Sequence, residues 1–128
     1  MVYSDQSRYY CMLKDYTNAL RVLNEYKPPY KSFLFRKALL LDILNQSDSA
    51  QKLYKYIYYY NQHISFKNKY DSIDYVTLFT FLIYGHDSVI NKIKFLTQKY
   101  PKCDFIPYMY NEFDTISRKD YILQQLQN

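Results

Sequence analysis

A single glycine stands in this chain of 128 residues. Phosphate-cradling loops and dinucleotide-binding turns need several glycines to bring the backbone close to a ligand, so both readings fail. A β-sandwich needs many tight turns, where glycine is the usual residue. Tryptophan is absent, and there are only four prolines and two cysteines. Few glycines and prolines suit long helices joined by short polar turns. Cys11 and Cys103 lie far apart, match no zinc spacing and form no C-x-x-C. Two buried thiols are the default expectation, with a disulfide between the chain ends as the alternative outside the cytosol. The longest apolar run, 75–84, is about half of what a membrane span requires. No signal-peptide pattern is present, and helix-like sequence starts almost at once. The default location is therefore cytoplasmic. A periplasmic or lipid-anchored one follows if an upstream segment has been removed.

What is abundant is aromatic. There are 18 Tyr and 8 Phe, and apolar residues make up 48 % of the chain, enough to exclude a disordered composition. An AT-rich coding sequence is one source of the tyrosines. An aromatic binding face is the other, since Tyr supplies contact area at low entropic cost. The length is that of one domain, 1–128. Net charge is +5 with a pI near 9.0, spread without a Lys/Arg run. That permits an acidic partner but reads first as a slightly basic solvated surface.

The chain repeats a layout of polar turn, small residue and apolar helix. It appears at Lys14-Asp15-Tyr16-Thr17-Asn18-Ala19-Leu20, at Asn45-Gln46-Ser47-Asp48-Ser49-Ala50-Gln51 and at Gly85-His86-Asp87-Ser88-Val89-Ile90. A first helix is predicted over 4–13, capped by Ser4 or Asp5. Asp15 starts a second, with Ala19, Leu20, Leu23 and Tyr26 on one face and Val22 beside them. Pro28-Pro29 ends it. A third over 30–44 carries Leu34, Ala38 and Leu41 on one face, and Phe35, Leu39 and Ile43 widen the stripe. A helix apolar over so much of its circumference is expected between neighbours. Ser47 or Asp48 caps a fourth, which runs through Leu53, Tyr54, Ile57 and Ile64 to about Phe66. A fifth, capped by Asp71 or Ser72, faces inward with Ile73, Val76, Phe79/Thr80 and Ile83. Gly85 closes it in the left-handed conformation. A sixth carries Val89, Ile93, Leu96 and Tyr100 before Pro101. Beyond it, Pro107 is read as interrupting the aromatic segment Tyr108-Met109-Tyr110. Ser117 caps a last helix over 118–127, with Tyr121, Ile122 and Leu126 apolar, expected to cover the third hairpin.

These residues resemble tetratricopeptide repeats, whose unit is a helical hairpin of about 34 residues. Asp15-Tyr16 takes the turn, Ala19 the small crossing position, Leu23 the large packing position and Pro28 or Pro29 the terminal proline. Ala38, Ala50 and Tyr54 fit the second unit, and Gly85, Val89 and Pro101 the third. Spacings of 31 and 39 residues between Ala19, Ala50 and Val89 make the period irregular. The resemblance implies an all-α, right-handed stack of about three antiparallel hairpins (3–28, 30–66 and 71–101), with a tail and capping helix over 102–128. It also implies a non-enzymatic module that binds a protein or peptide in a groove lined by the first helix of each hairpin. On this sequence the groove positions are Arg8, Met12, Phe35, Leu39, Asp42, Asp74, Leu78 and Phe81. A dedicated adaptor or toxin-neutralising protein is a narrower form of this reading.

No cofactor, metal site or catalytic residue is expected. His63 and His86 have no ligand at metal spacing. Asp71 and Asp74, one turn apart in the first turn of a helix, are explained by its dipole. No nucleophile sits in a recognisable elbow. Within the tyrosine run, Tyr54 and Tyr58 flank the Leu53/Ile57 stripe, while Tyr56 and Tyr59 point away and are expected to be buried against a neighbour. Exposed, they would form a partner site or a stacking platform. The alternative function is therefore nucleic-acid binding through Lys52, Lys55, Tyr56, Tyr59 and Lys67/Lys69.

Overall fold

A computed structural model describes residues 3–25, 31–61 and 69–128. They form eight helices: α1 (Tyr3–Met12), α2 (Tyr16–Glu25), α3 (Lys31–Ile43), α4 (Ser47–Asn61), α5 (Lys69–Tyr84), α6 (His86–Lys99), α7 (Ile106–Thr115) and α8 (Arg118–Gln127). No strand occurs among the described residues, so the chain is all-α. Tyr26, Pro28, Pro29, His63, Ile64, Phe66 and Lys67, all given roles above, lie outside the described residues. The chain divides into two compact units, Met1–Tyr59 with Lys119–Asn128, and Tyr60–Arg118.

In the first unit the repeated turns have one backbone solution. Lys14 (φ 59°) and Asn45 (φ 65°) adopt the left-handed conformation at the ends of α1 and α3. The Lys14 and Asp15 amides donate to Cys11 and Tyr10 carbonyls, both at 2.9 Å. Asn45 and Gln46 donate in the same way to Asp42 (3.1 Å) and Leu41 (2.8 Å). This paired pattern satisfies carbonyls that a helix end leaves without partners. Asp15 then caps α2, accepting from the Asn18 amide at 3.3 Å.

Past each turn the small residue is covered. Ala19 and Ala50 are fully buried. The Ser7 hydroxyl of α1 donates to the Ala19 carbonyl at 3.1 Å, a close approach that a larger side chain would block. α2 buries Ala19, Leu20, Val22 and Leu23, as the periodicity requires. α3 is buried around its whole circumference at Ala38, Leu39, Leu40 and Leu41. Tyr54 of α4 is fully buried, and its hydroxyl donates to Asp42 of α3 at 3.0 Å. Burial of each large apolar side chain contributes roughly 1.5–3 kcal/mol.

The terminal helix joins the first unit: Lys119–Asn128 group with the unit built by α1–α4. The Gln127 side-chain amide donates to the Cys11 carbonyl at 2.7 Å and to the Tyr16 hydroxyl at 3.2 Å. In an open stack of hairpins the last helix lies far from the first, whereas here the two are hydrogen-bonded. Tyr121, Ile122 and Leu126 are its buried residues, the three its periodicity indicates.

In the second unit Gly85 alone links α5 to α6. Its φ of 92° and ψ of −168° lie outside the left-handed helical region expected there, in a region that side-chain-bearing residues avoid. Its amide still donates to Phe81 at 2.9 Å and its carbonyl accepts from Val89 at 3.1 Å. Thus one residue replaces the three-residue turn of the first unit. Val89 is fully buried at the position of Ala19 and Ala50, and Ile93 and Leu96 continue that face.

α7 is the element absent from the sequence reading. Pro107 lies in its first turn, where a missing N–H costs nothing, so it opens a helix rather than breaking one. Ile106, Met109 and Phe113 are buried. Phe113 meets Phe81 of α5 with ring centroids 4.9 Å apart. That partner turns the α5 core toward Ile73, Thr77, Phe79, Phe81 and Leu82, leaving Val76, Thr80 and Ile83 only half-buried. The buried hydroxyls of Ser7 and Thr77 are both bonded, Thr77 to the Ile73 carbonyl at 2.7 Å.

Candidate functional site

α1 presents its residues in an unusual order. It buries small side chains, with Ser7 and Cys11 fully covered, and exposes large apolar ones. Tyr9, Met12 and Leu13 are 51 %, 62 % and 58 % exposed. With Asp5 and Arg8, also exposed, they fall at i, i+3, i+4, i+7 and i+8, one continuous face. The cause lies on the other side of the helix, where close approach to Ala19 of α2 admits only small residues. Beside this face, Gln6, Tyr9, Tyr10, Arg21, Val22 and Glu25 line a cleft of about 300 Å³. Its lining includes the Arg21–Glu25 ion pair at 2.8 Å. A second cavity of about 500 Å³ borders the same pair, next to Leu20, Leu44 and Gln46.

The eight groove positions do not share one environment. Arg8, Met12 and Asp74 are exposed, and Phe35, Asp42 and Leu78 are half-buried. Asp42 is the acceptor for Tyr54. Leu39 and Phe81 are 2 % and 1 % exposed and serve as core of their own units. For Phe81 the reason is the unforeseen α7, and for Leu39 the burial of α3 on all sides. Of the eight, those open to solvent are Arg8 and Met12 in the first unit, with Tyr9 and Leu13 exposed beside them, and Asp74 in the second. In the sequence nothing marked Tyr9 and Leu13, since apolar spacing alone does not say which side of α1 is covered.

The tyrosine run differs from its expectation. Tyr56 and Tyr59 are each 52 % exposed and Tyr60 42 %, so the face of α4 opposite the core is aromatic and open. Lys52 and Lys55 are exposed on the same face. Lys67 lies outside the described residues, and of Lys69 only the backbone is described. In α6 the matching positions also face outward: Lys94 is exposed beside Phe95, which is 53 % exposed with the Lys92 ammonium 5.3 Å from its ring centroid.

At the start of α6, His86 is held between two carboxylates, Nδ1 against Asp87 at 3.0 Å and Nε2 against Asp114 of α7 at 3.1 Å. Hydrogen bonding to Asp87, then to Asp114, raises its pKa above the ordinary value of 6.5. No group of three or more His, Cys, Asp or Glu side chains is arranged to hold a metal ion among the described residues. Among them, no helix is long and apolar enough to cross a membrane. Cys11 and Cys103 are free, buried thiols.

No protein-family model, no curated protein and no solved structure matches this chain.

Proposed function

We propose that this chain is a non-enzymatic binding module that docks a protein partner on the outer face of α1. The observation that carries the reading is the inverted burial of that helix: Ser7 and Cys11 inside, Tyr9, Met12 and Leu13 outside. Exposed apolar residues on contiguous helical positions are the usual mark of an interaction surface. Tyr, Met and Arg are enriched at the cores of protein interfaces and Lys is depleted, which is the composition of this face. The partner offers apolar side chains to Tyr9, Met12 and Leu13, a carboxylate to Arg8, and one side chain for the adjoining cleft.

The test is site-specific photo-cross-linking in extract of the source organism. The probe replaces Met12, or in a control the exposed Gln124 of α8. The protein captured from Met12 alone is then purified and titrated. Tyr9→Ala with Met12→Ser should weaken its binding about tenfold or more while helical circular dichroism is retained. Equal affinity for the variant, or equal capture from Gln124, would overturn the reading. Capture of a second copy alone would replace it with self-association.

A further inference from the structure

The cations of this chain are not evenly spread. Between Asp48 and Asp71 there is no acidic residue but there are four lysines, 52, 55, 67 and 69. Between Asp87 and Asp104 there are again four, 92, 94, 99 and 102, and again no acid. The remaining nine of the 17 Lys and Arg are outnumbered by the 12 acidic residues, so the net positive charge resides in these two stretches. The stretches contain the bodies of α4 and α6.

Within them one surface signature recurs. Lys55-Tyr56 stands five residues after buried Ala50, and Lys94-Phe95 five residues after buried Val89. Both lysines are exposed, and both aromatic residues are more than half exposed. On α4 the signature extends to Lys52 and Tyr59, giving i, i+3, i+4 and i+7 along one face. No carboxylate forms an ion pair with Lys52, Lys55, Lys92, Lys94 or Lys99 among the described residues. The fold does not require the pair. In α2 the equivalent residues are Asn24-Glu25, and the helix packs through the same buried register.

We infer that the outer faces of α4 and α6 each bind single-stranded nucleic acid. The lysines neutralise backbone phosphates, and Tyr56, Tyr59 and Phe95 stack on bases. Lysine interleaved with exposed rings is the combination used for strands read without a sequence code, because every base has a π-face. The rings alone would suit a protein interface as well; the lysines are what set these faces apart, since lysine is depleted at interfaces. The α1 face has the opposite character, so the two inferences concern separate surfaces and fail separately.

The test is fluorescence anisotropy of the full chain with fluorescein-labelled 15-mers of oligo-U and oligo-dT. At least one strand should bind at 50 mM salt. With three to six phosphates neutralised, affinity should fall roughly 20- to 300-fold by 200 mM. Tyr56→Leu with Phe95→Leu keeps the charge and should weaken binding about 5- to 150-fold. Lys55→Gln with Lys94→Gln should weaken it more than Lys14→Gln with Lys119→Gln, which lowers net charge equally. Tyr9→Ala with Met12→Ser should leave it unchanged. No binding at 50 mM salt, equal losses from the two lysine pairs, or no effect of the ring substitutions would overturn the inference. So would polyglutamate or phosphatidylserine vesicles competing as well as the oligonucleotide, because either would assign the faces to an acidic protein or a membrane surface. Circular dichroism of each variant separates lost binding from lost fold.

Discussion

Replacing Arg118 with methionine should destabilise the protein by about 2–3 kcal/mol. α5 ends at Tyr84. Its last four carbonyls have no partner within the helix, and one belongs to Leu82, a fully buried residue. Phe81, one residue earlier, is served by the Gly85 amide. Leu82 receives two donors from Arg118, Nε at 3.0 Å and a terminal guanidinium nitrogen at 2.7 Å. Charge-assisted bonds of this kind contribute about 1.5–3 kcal/mol, and a cation at a helix C-terminus adds roughly 0.3–1 kcal/mol through the dipole. Methionine keeps the apolar stem and removes both donors, so the buried carbonyl loses two charge-assisted bonds. With an unfolding entropy of about 2.1 cal/mol/K per residue, the loss corresponds to a fall in Tm of roughly 7–11 °C. Arg118→Lys should lose about half as much, since an ammonium retains the charge but not the two-pronged donor. Thermal unfolding followed at 222 nm measures both. A methionine variant within about 0.5 kcal/mol of the parent would refute the argument, because it would mean that water serves the Leu82 carbonyl equally well.

Three further outcomes follow from local features. Gly85→Ala should cost about 1–3 kcal/mol through backbone strain alone, because a Cβ there meets nothing within 4 Å, whereas Lys14→Gly should stabilise by up to about 1 kcal/mol by relieving the left-handed lysine; urea midpoints decide both. His86 has a raised folded pKa, so its contribution is complete below 6.5 and is lost as pH rises through the folded value; the parent should therefore lose more stability than His86→Gln across that window in urea titrations at stepped pH. Burial pushes the Cys11 thiol up, with the Arg36 guanidinium pulling it partly back, so in a Cys103→Ser background Cys11 should react with a disulfide reagent only at the rate of opening, and reaction as fast as for the unfolded chain would contradict its burial.

The helices were legible because their signals are local. Ala19, Leu20 and Leu23 repeat at the helical period, and Asp15 and Asn45 sit where turn chemistry needs them. α8 begins and ends where 118–127 was predicted. Pro107 misled because proline at the first turn of a helix and proline after its end are the same letter with opposite meaning. The consequence reached α5: without α7 there was no reason to bury Phe81, and it was assigned to a groove. The acid-free stretches were visible in the sequence as well, but only the distribution of Asp and Glu exposes them, not a search for lysine runs.

The sequence by itself determined that the chain is helical and where the turns at Lys14–Asp15, Asn45–Gln46 and Gly85 fall, since period, capping and turn chemistry are properties of neighbours along the chain. Tertiary structure decided which apolar residues are core and which are surface. Leu39 and Tyr9 look alike as apolar residues within a helical stripe, yet one is enclosed by α3's neighbours and the other is left outside by the close packing of Ser7 against Ala19. It also decided that α8 returns to α1 through Gln127 and that Arg118 serves Leu82, contacts across 116 and 36 residues. No local pattern encodes such contacts, because they depend on where distant helix ends come to lie.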